Sequence, residues 1–181
     1  TVAKTQPMKL AAMEGLYRGE KGTPLVGIGV LNPKKTYSNQ EDPYLFKISI
    51  PKGLSFLANM DFDSFVPGIT DIIEGGYTYK DANGEEETAI PFTEKVERGN
   101  MARRALALYG QYKDNPDTAV RNQVLSQARQ YLDENFEYFG YGFLKDPEES
   151  IPNVPMTFYS FHIMVILGGY FILFLLLCWW F

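Results

Sequence analysis

Two opposite charges inside a short apolar segment are the first residues with chemistry to offer. In the stretch QPMKLAAMEG, residues 6–15, Lys9 and Glu14 stand five residues apart, with only Leu10, Ala11, Ala12 and Met13 between them. Favourable helical ion pairs sit three or four residues apart, so this pair misses the spacing of a salt bridge. Wound on a helix, the segment would present an apolar floor of Leu10, Met13 and Tyr17, with Lys9 and Glu14 on its two rims. Met8, Ala11, Ala12 and Gly15 fall on the opposite side, small enough for close packing. Gln6 stands at the N-terminal end, where a residue before proline resists the α conformation. Such a face suits a flat, amphipathic ligand with a polar group at each end of a ring. A carboxylate in reach can take a proton, and a cation can stabilise an anion that develops. The pattern also fits an ordinary amphipathic helix in which Glu14 pairs with Arg18, and on pattern alone that plainer reading is favoured.

The elements that must position these residues follow from charge and periodicity. All 17 Lys/Arg and all 22 Asp/Glu lie at or before Glu149. Met156–Phe181 then forms an apolar run whose titratable groups expected to matter are His162 and Cys178. A bilayer core needs about 20 apolar residues, and runs of about 18 or more span more often than they form a buried helix. A transmembrane helix over 156–181 is therefore expected, with Trp179 and Trp180 suited to an interface. The preceding acidic domain, 1–155, is compatible with the non-cytoplasmic side. The chain starts at Thr1 with nothing that reads as a signal peptide, so it is expected to be a fragment or a processed product.

Before the span, Pro7 suits the first turn of a helix running to about Tyr17. The stretches GTPLVGIGVLNP and YLFKISIP read as short strands. In the second, Phe46, Ile48 and Ile50 alternate with Lys47 and Ser49. PKGLSFLANMDF reads as a short helix, and GGYTYKDANGEEETAI as a hairpin turning near Asn83-Gly84. A helical pair is expected over about Glu94–Tyr112 and Thr118–Tyr138, joined by DNPDT. The second member carries a stripe of Val120, Val124, Ala128, Tyr131 and Leu132. FGYGFLKDPEESIPNVP reads as a Gly/Pro-punctuated linker. The fold class is an α+β extramembrane domain followed by a transmembrane helix.

Several chemistries are excluded. A net charge of −5 gives no basic surface for nucleic acid. A single cysteine, Cys178, excludes an intrachain disulfide and a cysteine-rich metal site. Gly27-Ile-Gly29 lacks the third glycine of a dinucleotide loop, position 32 being Asn. The acidic stretches DPEES and NGEEET do not match a calcium loop. Arg103-Arg104 reads as a solvated helix face, and the aromatics Phe136–Phe143 as core or a belt near lipid. The only histidine lies inside the apolar span, so there is no hydrolase triad.

KTQPMKLAAMEG resembles the start of the quinol-oxidation loop of subunit I of the cytochrome bd family of terminal oxidases. IPKGLSFLANMDFDSFVPGI resembles a later segment of that loop. IPNVPMTFYSFHIMV resembles the loop's end and the start of the next membrane helix. The likeness runs in order to about Val165, with the stretch from Glu74 to Gly140 recognisable only by its place. It implies a helical membrane bundle in the bacterial cytoplasmic membrane, with this loop on the outer, periplasmic face. It implies that Lys9, Glu14 and Gln6 bind and oxidise quinol. Glu14 would be the base or proton acceptor, Lys9 the electrostatic stabiliser and Gln6 an orienting hydrogen bonder. It further implies that Met164 is an axial ligand of a low-spin haem b, a soft neutral donor that tends to raise haem potential. The remaining haems, the rest of subunit I and a second subunit would lie outside this chain, which alone should not reduce oxygen. In one departure, His162 stands two residues before Met164, where the resemblance implies an arginine. Two residues are about 200° around a helix, so His162 and Met164 cannot easily face one iron. The alternative is a membrane-tethered extracytoplasmic binding domain with no redox role.

Overall fold

A computed structural model of the chain describes residues 2–80, 84–114 and 116–180. Asn83 of the expected hairpin turn and Asn115 of DNPDT lie outside the described residues, as do Thr1 and Phe181. The chain divides into two compact units. One comprises Thr1–Ala89 with Ile151–Phe181, the other Ile90–Ser150.

The first unit begins with two short helices, α1 (Val2–Thr5) and α2 (Pro7–Met13). Strands β1 (Glu20–Lys21), β2 (Leu25–Leu31) and β3 (Tyr44–Ile50) follow, then α3 (Gly53–Asn59), β4 (Phe65–Val66) and α4 (Ile69–Glu74). Strands β5 (Thr78–Lys80) and β6 (Glu86–Thr88) close this part of the chain. All pairing is antiparallel and two-stranded: β1 with β4, β2 with β3, β5 with β6. The expected strands and short helix thus form. The apolar face of β3 does not reach the core, however: Phe46, Ile48 and Ile50 stay exposed beside Ile28 and Val30. A two-stranded ribbon has two faces and one core to meet. Here the contact with the core runs through Val26 and Leu31.

That core gathers Ala11, Ala12, Tyr17, Val26, Leu31, Ile69, Ile72, Val154 and Phe158. A smaller cluster of Leu54, Ala58 and Val66 takes Leu10, Leu16 and Leu25 against it. The small face of α2 does allow close packing: Ala11 and Ala12 are buried in the same cluster as Val154 and Phe158 of the last helix, α7 (Val154–Trp180). Among the described residues α7 is the one helix long and apolar enough to cross a membrane. Its 27 residues give a length of about 40 Å. Its first two turns pack on the domain through Val154, Phe158 and His162, whereas every residue from Ile163 to Trp180 is exposed.

The second unit holds α5 (Phe92–Tyr112) and α6 (Thr118–Asn135). Asp117 caps α6 by accepting from the Ala119 and Val120 amides at 2.9 and 3.2 Å, which satisfies two otherwise unpaired donors. Of the stripe expected on α6, only Ala128 is fully buried. The segment read as a linker is ordered instead: Phe136–Phe143 and Pro147–Ser150 are 3-10 helices. The first lies against α5 because two glycines let the backbones touch. A Cβ on Gly99 would come within 2.4 Å of both Gly142 N and Tyr138 O. Arg103 is not a free solvated charge. Its guanidinium donates to the Gly142 carbonyl and sits 4.1 Å from the Phe143 ring centroid. Gly99→Ala should therefore cost about 1–3 kcal/mol by overpacking. Amide exchange across residues 136–143 should quicken accordingly, and unchanged protection there would refute the close contact.

Candidate functional site

The helix carrying the two charges ends sooner than its pattern suggests. Glu14 is the C-cap of α2, with its amide bonded back into the last turn, and Gly15 adopts φ of +56°. Only glycine takes that left-handed conformation without strain, and it is the usual way to end a helix. A side chain would also collide there: a Cβ on Gly15 would lie 2.9 Å from Leu31 Cδ2 and 3.0 Å from the Tyr44 hydroxyl. The chain turns after Glu14, so Tyr17 leaves the helix and enters the main core, while Leu10 joins the smaller cluster. The expected continuous floor of Leu10, Met13 and Tyr17 is thereby split. Gln6 has φ −140° and ψ 60°, outside the helical region as a pre-proline residue prefers.

The early end of the helix also separates the two charges. Gln6 and Lys9 are exposed on the outside of α2. Glu14 turns inward and is 3% exposed. Nor does it pair with Arg18, whose guanidinium instead makes two bonds to the Glu74 carboxylate at 2.8 and 3.1 Å. Around Glu14 stand β2, β3 and α7. The Tyr44 hydroxyl donates to the Glu14 backbone carbonyl. The Val26 backbone hydrogen-bonds the Glu14 carboxyl, and His162 is close enough to act on it electrostatically. One carboxyl oxygen, Oε2, is buried with no hydrogen-bond partner. Burial pushes the Glu14 carboxyl up from 4.5 to about 7, against the opposing pull of His162 and the Val26 backbone. Burial likewise raises the Tyr44 phenol, with the Glu14 charge adding to the effect. A carboxyl raised in the folded state holds its proton where the unfolded chain has lost it. The stability this group contributes therefore falls as pH rises from 4.5 to about 7.

An unpaired buried oxygen is costly, about 1–3 kcal/mol or more, and buried side chains with strongly perturbed titration concentrate at working sites. A carboxyl that titrates near neutrality can receive a proton in one state and release it in the other. The surface groove between α5 and α6, lined by Glu94, Arg98, Met101 and Tyr131 among others, contains none of these residues.

His162 and Met164 leave α7 in different directions. His162 is 8% exposed, its Nδ1 lying 2.9 Å from the Phe158 carbonyl oxygen and its Nε2 2.9 Å from that of Val26. Both nitrogens thus face backbone carbonyls of this domain, and the tautomer decides which of them receives the N–H. Met164 is 61% exposed, as expected for a residue about 200° around the helix. Among the described residues no group of three or more His, Cys, Asp or Glu could hold a metal ion. The exposed sulfur groups that α7 offers a cofactor are the thioethers of Met156 and Met164 and the thiol of Cys178. A thioether is a soft, neutral donor of the kind that can hold a haem iron. Sequence reasoning missed the Val26 backbone and the inward role of His162. The Gly27-Ile-Gly29 pair was the available signal. Gly27 interrupts the β2–β3 register between Val26 and Ile28, and Gly29 lies where a Cβ would come 3.2 Å from Phe158.

A search among curated proteins finds no match. A family model does match, that of cytochrome bd terminal oxidase subunit I, over residues 1–181. Membership implies a place in a membrane-bound terminal oxidase of the respiratory chain, with haem cofactors. The paired short strands, the long apolar helix and the match along the whole length agree, and the chain belongs to the cytochrome bd terminal oxidase subunit I family.

Proposed function

We propose that this chain is the quinol-binding and quinol-oxidising portion of the oxidase. The observation that carries the proposal is Glu14: a buried carboxyl with an unpartnered oxygen and a pKa of about 7. Residues 1–155 form the loop on the outer face of a bacterial cytoplasmic membrane, and 156–181 the helix that returns through it. Quinol gives up two protons and two electrons to become quinone. Glu14 accepts one of those protons and the other passes to solvent water at the outer face. Lys9, exposed on α2, stabilises the quinolate that develops, and Gln6 orients the ring by a hydrogen bond. Met164 would hold a low-spin b-type haem through its thioether, and that group would supply the acceptor for the electrons. The rest of subunit I and a second subunit carry the remaining haems and reduce oxygen.

The proposal is tested by pH. Glu14 must be deprotonated to accept, so quinol oxidation by the full oxidase should rise as pH climbs through about 7. The groups that face Glu14 are His162, Tyr44 and the Val26 backbone. Electron entry from an artificial donor that bypasses the loop should lack the ascending limb. A quinol profile flat between about pH 6 and 8 would count against Glu14 as the acceptor. The alternative, a tethered binding domain with no redox role, predicts no quinol turnover dependent on this loop at any pH.

A further inference from the structure

Both ring nitrogens of His162 lie within hydrogen-bond distance of a backbone carbonyl, and a neutral ring, with one N–H, donates to one of the two. Its Nδ1 contact, 2.9 Å to the Phe158 carbonyl oxygen, reaches one turn back along α7. Its Nε2 contact, 2.9 Å to the Val26 carbonyl oxygen, ties α7 to β2 across 136 residues of sequence. Val26 is also the residue whose backbone bonds the Glu14 carboxyl. Glu14 and His162 therefore meet on one strand residue, and all three are buried. Phe158 packs on the imidazole with ring centroids 4.0 Å apart. The register of β2 is interrupted beside Val26, between Val26 and Ile28. Regular pairing with β3 is broken at this point, and the Nε2 contact supplies a separate attachment for Val26.

We infer that His162 is a positioning residue for Glu14: by binding the Val26 carbonyl it fixes the strand whose backbone holds the Glu14 carboxyl. The inference rests on the reading of Glu14 as the proton acceptor in quinol oxidation. It gives the membrane helix a second task, on the face opposite Met164. The two ring nitrogens can be separated by substitution. A glutamine amide reaches about as far as Nε2 and can still donate to Val26. An asparagine amide reaches only as far as Nδ1 and can serve Phe158 alone.

The test uses the full-length oxidase carrying His162→Gln, His162→Asn or Glu14→Gln. His162→Asn should lower kcat for quinol by up to about 10²-fold, the cost of a misplacement of about 1 Å. KM should change little, and electron entry from the artificial donor should persist. His162→Gln should recover most of the loss. The infrared carbonyl band of protonated Glu14, identified by its disappearance in Glu14→Gln, should keep its position in His162→Gln and move in His162→Asn. If His162→Asn does not assemble, retained turnover and an unmoved band in His162→Gln support the inference, and loss of either overturns it. Equal losses in Gln and Asn, or normal turnover in Asn, also overturn it. If Glu14→Gln is inactive while His162→Asn is normal, the positioning role alone has failed. If Glu14→Gln turns quinol over normally, the acceptor assignment has failed and the inference with it.

Discussion

In the complete oxidase, Glu14→Gln should lower quinol oxidation by about 10²–10⁴-fold, the usual contribution of one positioned acid–base group. Glutamine keeps the size of the side chain and removes its ability to take a proton. Because Glu14 is 3% exposed with an unpartnered Oε2, the neutral amide should be accommodated without loss of fold. It should even relieve the cost of a buried charge above about pH 7. The loss should therefore appear in kcat with assembly intact. Lys9→Ala should act differently. Lys9 is exposed, so its removal should weaken stabilisation of the quinolate and leave the neutral pKa of Glu14 in place. An artificial donor that enters beyond the loop should drive oxygen reduction in both variants. Near-normal quinol turnover in both would sink the assignment of the site.

The contrast between Lys9 and Glu14 also shows how far the sequence could be read. Their separation by five residues correctly indicates that they do not serve each other. Where the reading failed was the helix end. Gly15 carried the signal, since glycine beyond a last turn commonly takes the left-handed conformation that stops a helix. Extending the periodicity to Tyr17 passed over it, and with it the turn that sends Glu14 inward. The apolar span, the paired strands and the two long helices were legible because each rests on a local period of hydrophobicity. Local period alone did not reveal that the apolar side of β3 would stay uncovered, since burial depends on which face of the ribbon meets the core.

Two other features had no local signature of the right kind. Gly140 and Gly142 read as breakers, so residues 139–143 looked like the start of a linker, and the helix before it was expected to run to about Tyr138. The requirement is in fact spatial: Gly142 must lie against Gly99, 43 residues earlier by the numbering, and the contact needs two missing side chains at once. The bond from His162 to Val26 is less legible still. Its acceptor is a backbone carbonyl, which every residue type possesses, so nothing about valine announces it. Position 162 drew attention as the only histidine, set in an apolar run, and as a departure from the implied arginine, but neither pointed to Val26. The structure places that histidine toward the domain and its buried carboxyl, on the side of α7 away from Met164.

That opposition makes Met164→Leu a sharp test of the other half of the proposed electron path. Leucine keeps volume and apolarity, and such a swap costs under about 1.5 kcal/mol even in a packed site. Here the position is 61% exposed and lies in an uninterrupted run of exposed apolar residues, so packing within this domain should be untouched. If Met164 only met lipid or neighbouring helices, the full-length protein would assemble with its normal haem spectra. If instead it holds the iron, it supplies a sulfur donor that leucine cannot replace. The low-spin b-type signal should then convert to high-spin or disappear, and the potential should fall with loss of the thioether. Quinol turnover should stop while Glu14 keeps its place, its infrared band unmoved, because Glu14 is bonded by the Val26 backbone, which His162 meets from the side of the helix away from Met164. His162→Gln supplies the complementary result: the low-spin signal should persist. An unchanged low-spin spectrum in Met164→Leu would remove the methionine from the iron, and loss of that spectrum in His162→Gln would mean that the ligand had been sought on the wrong face of α7.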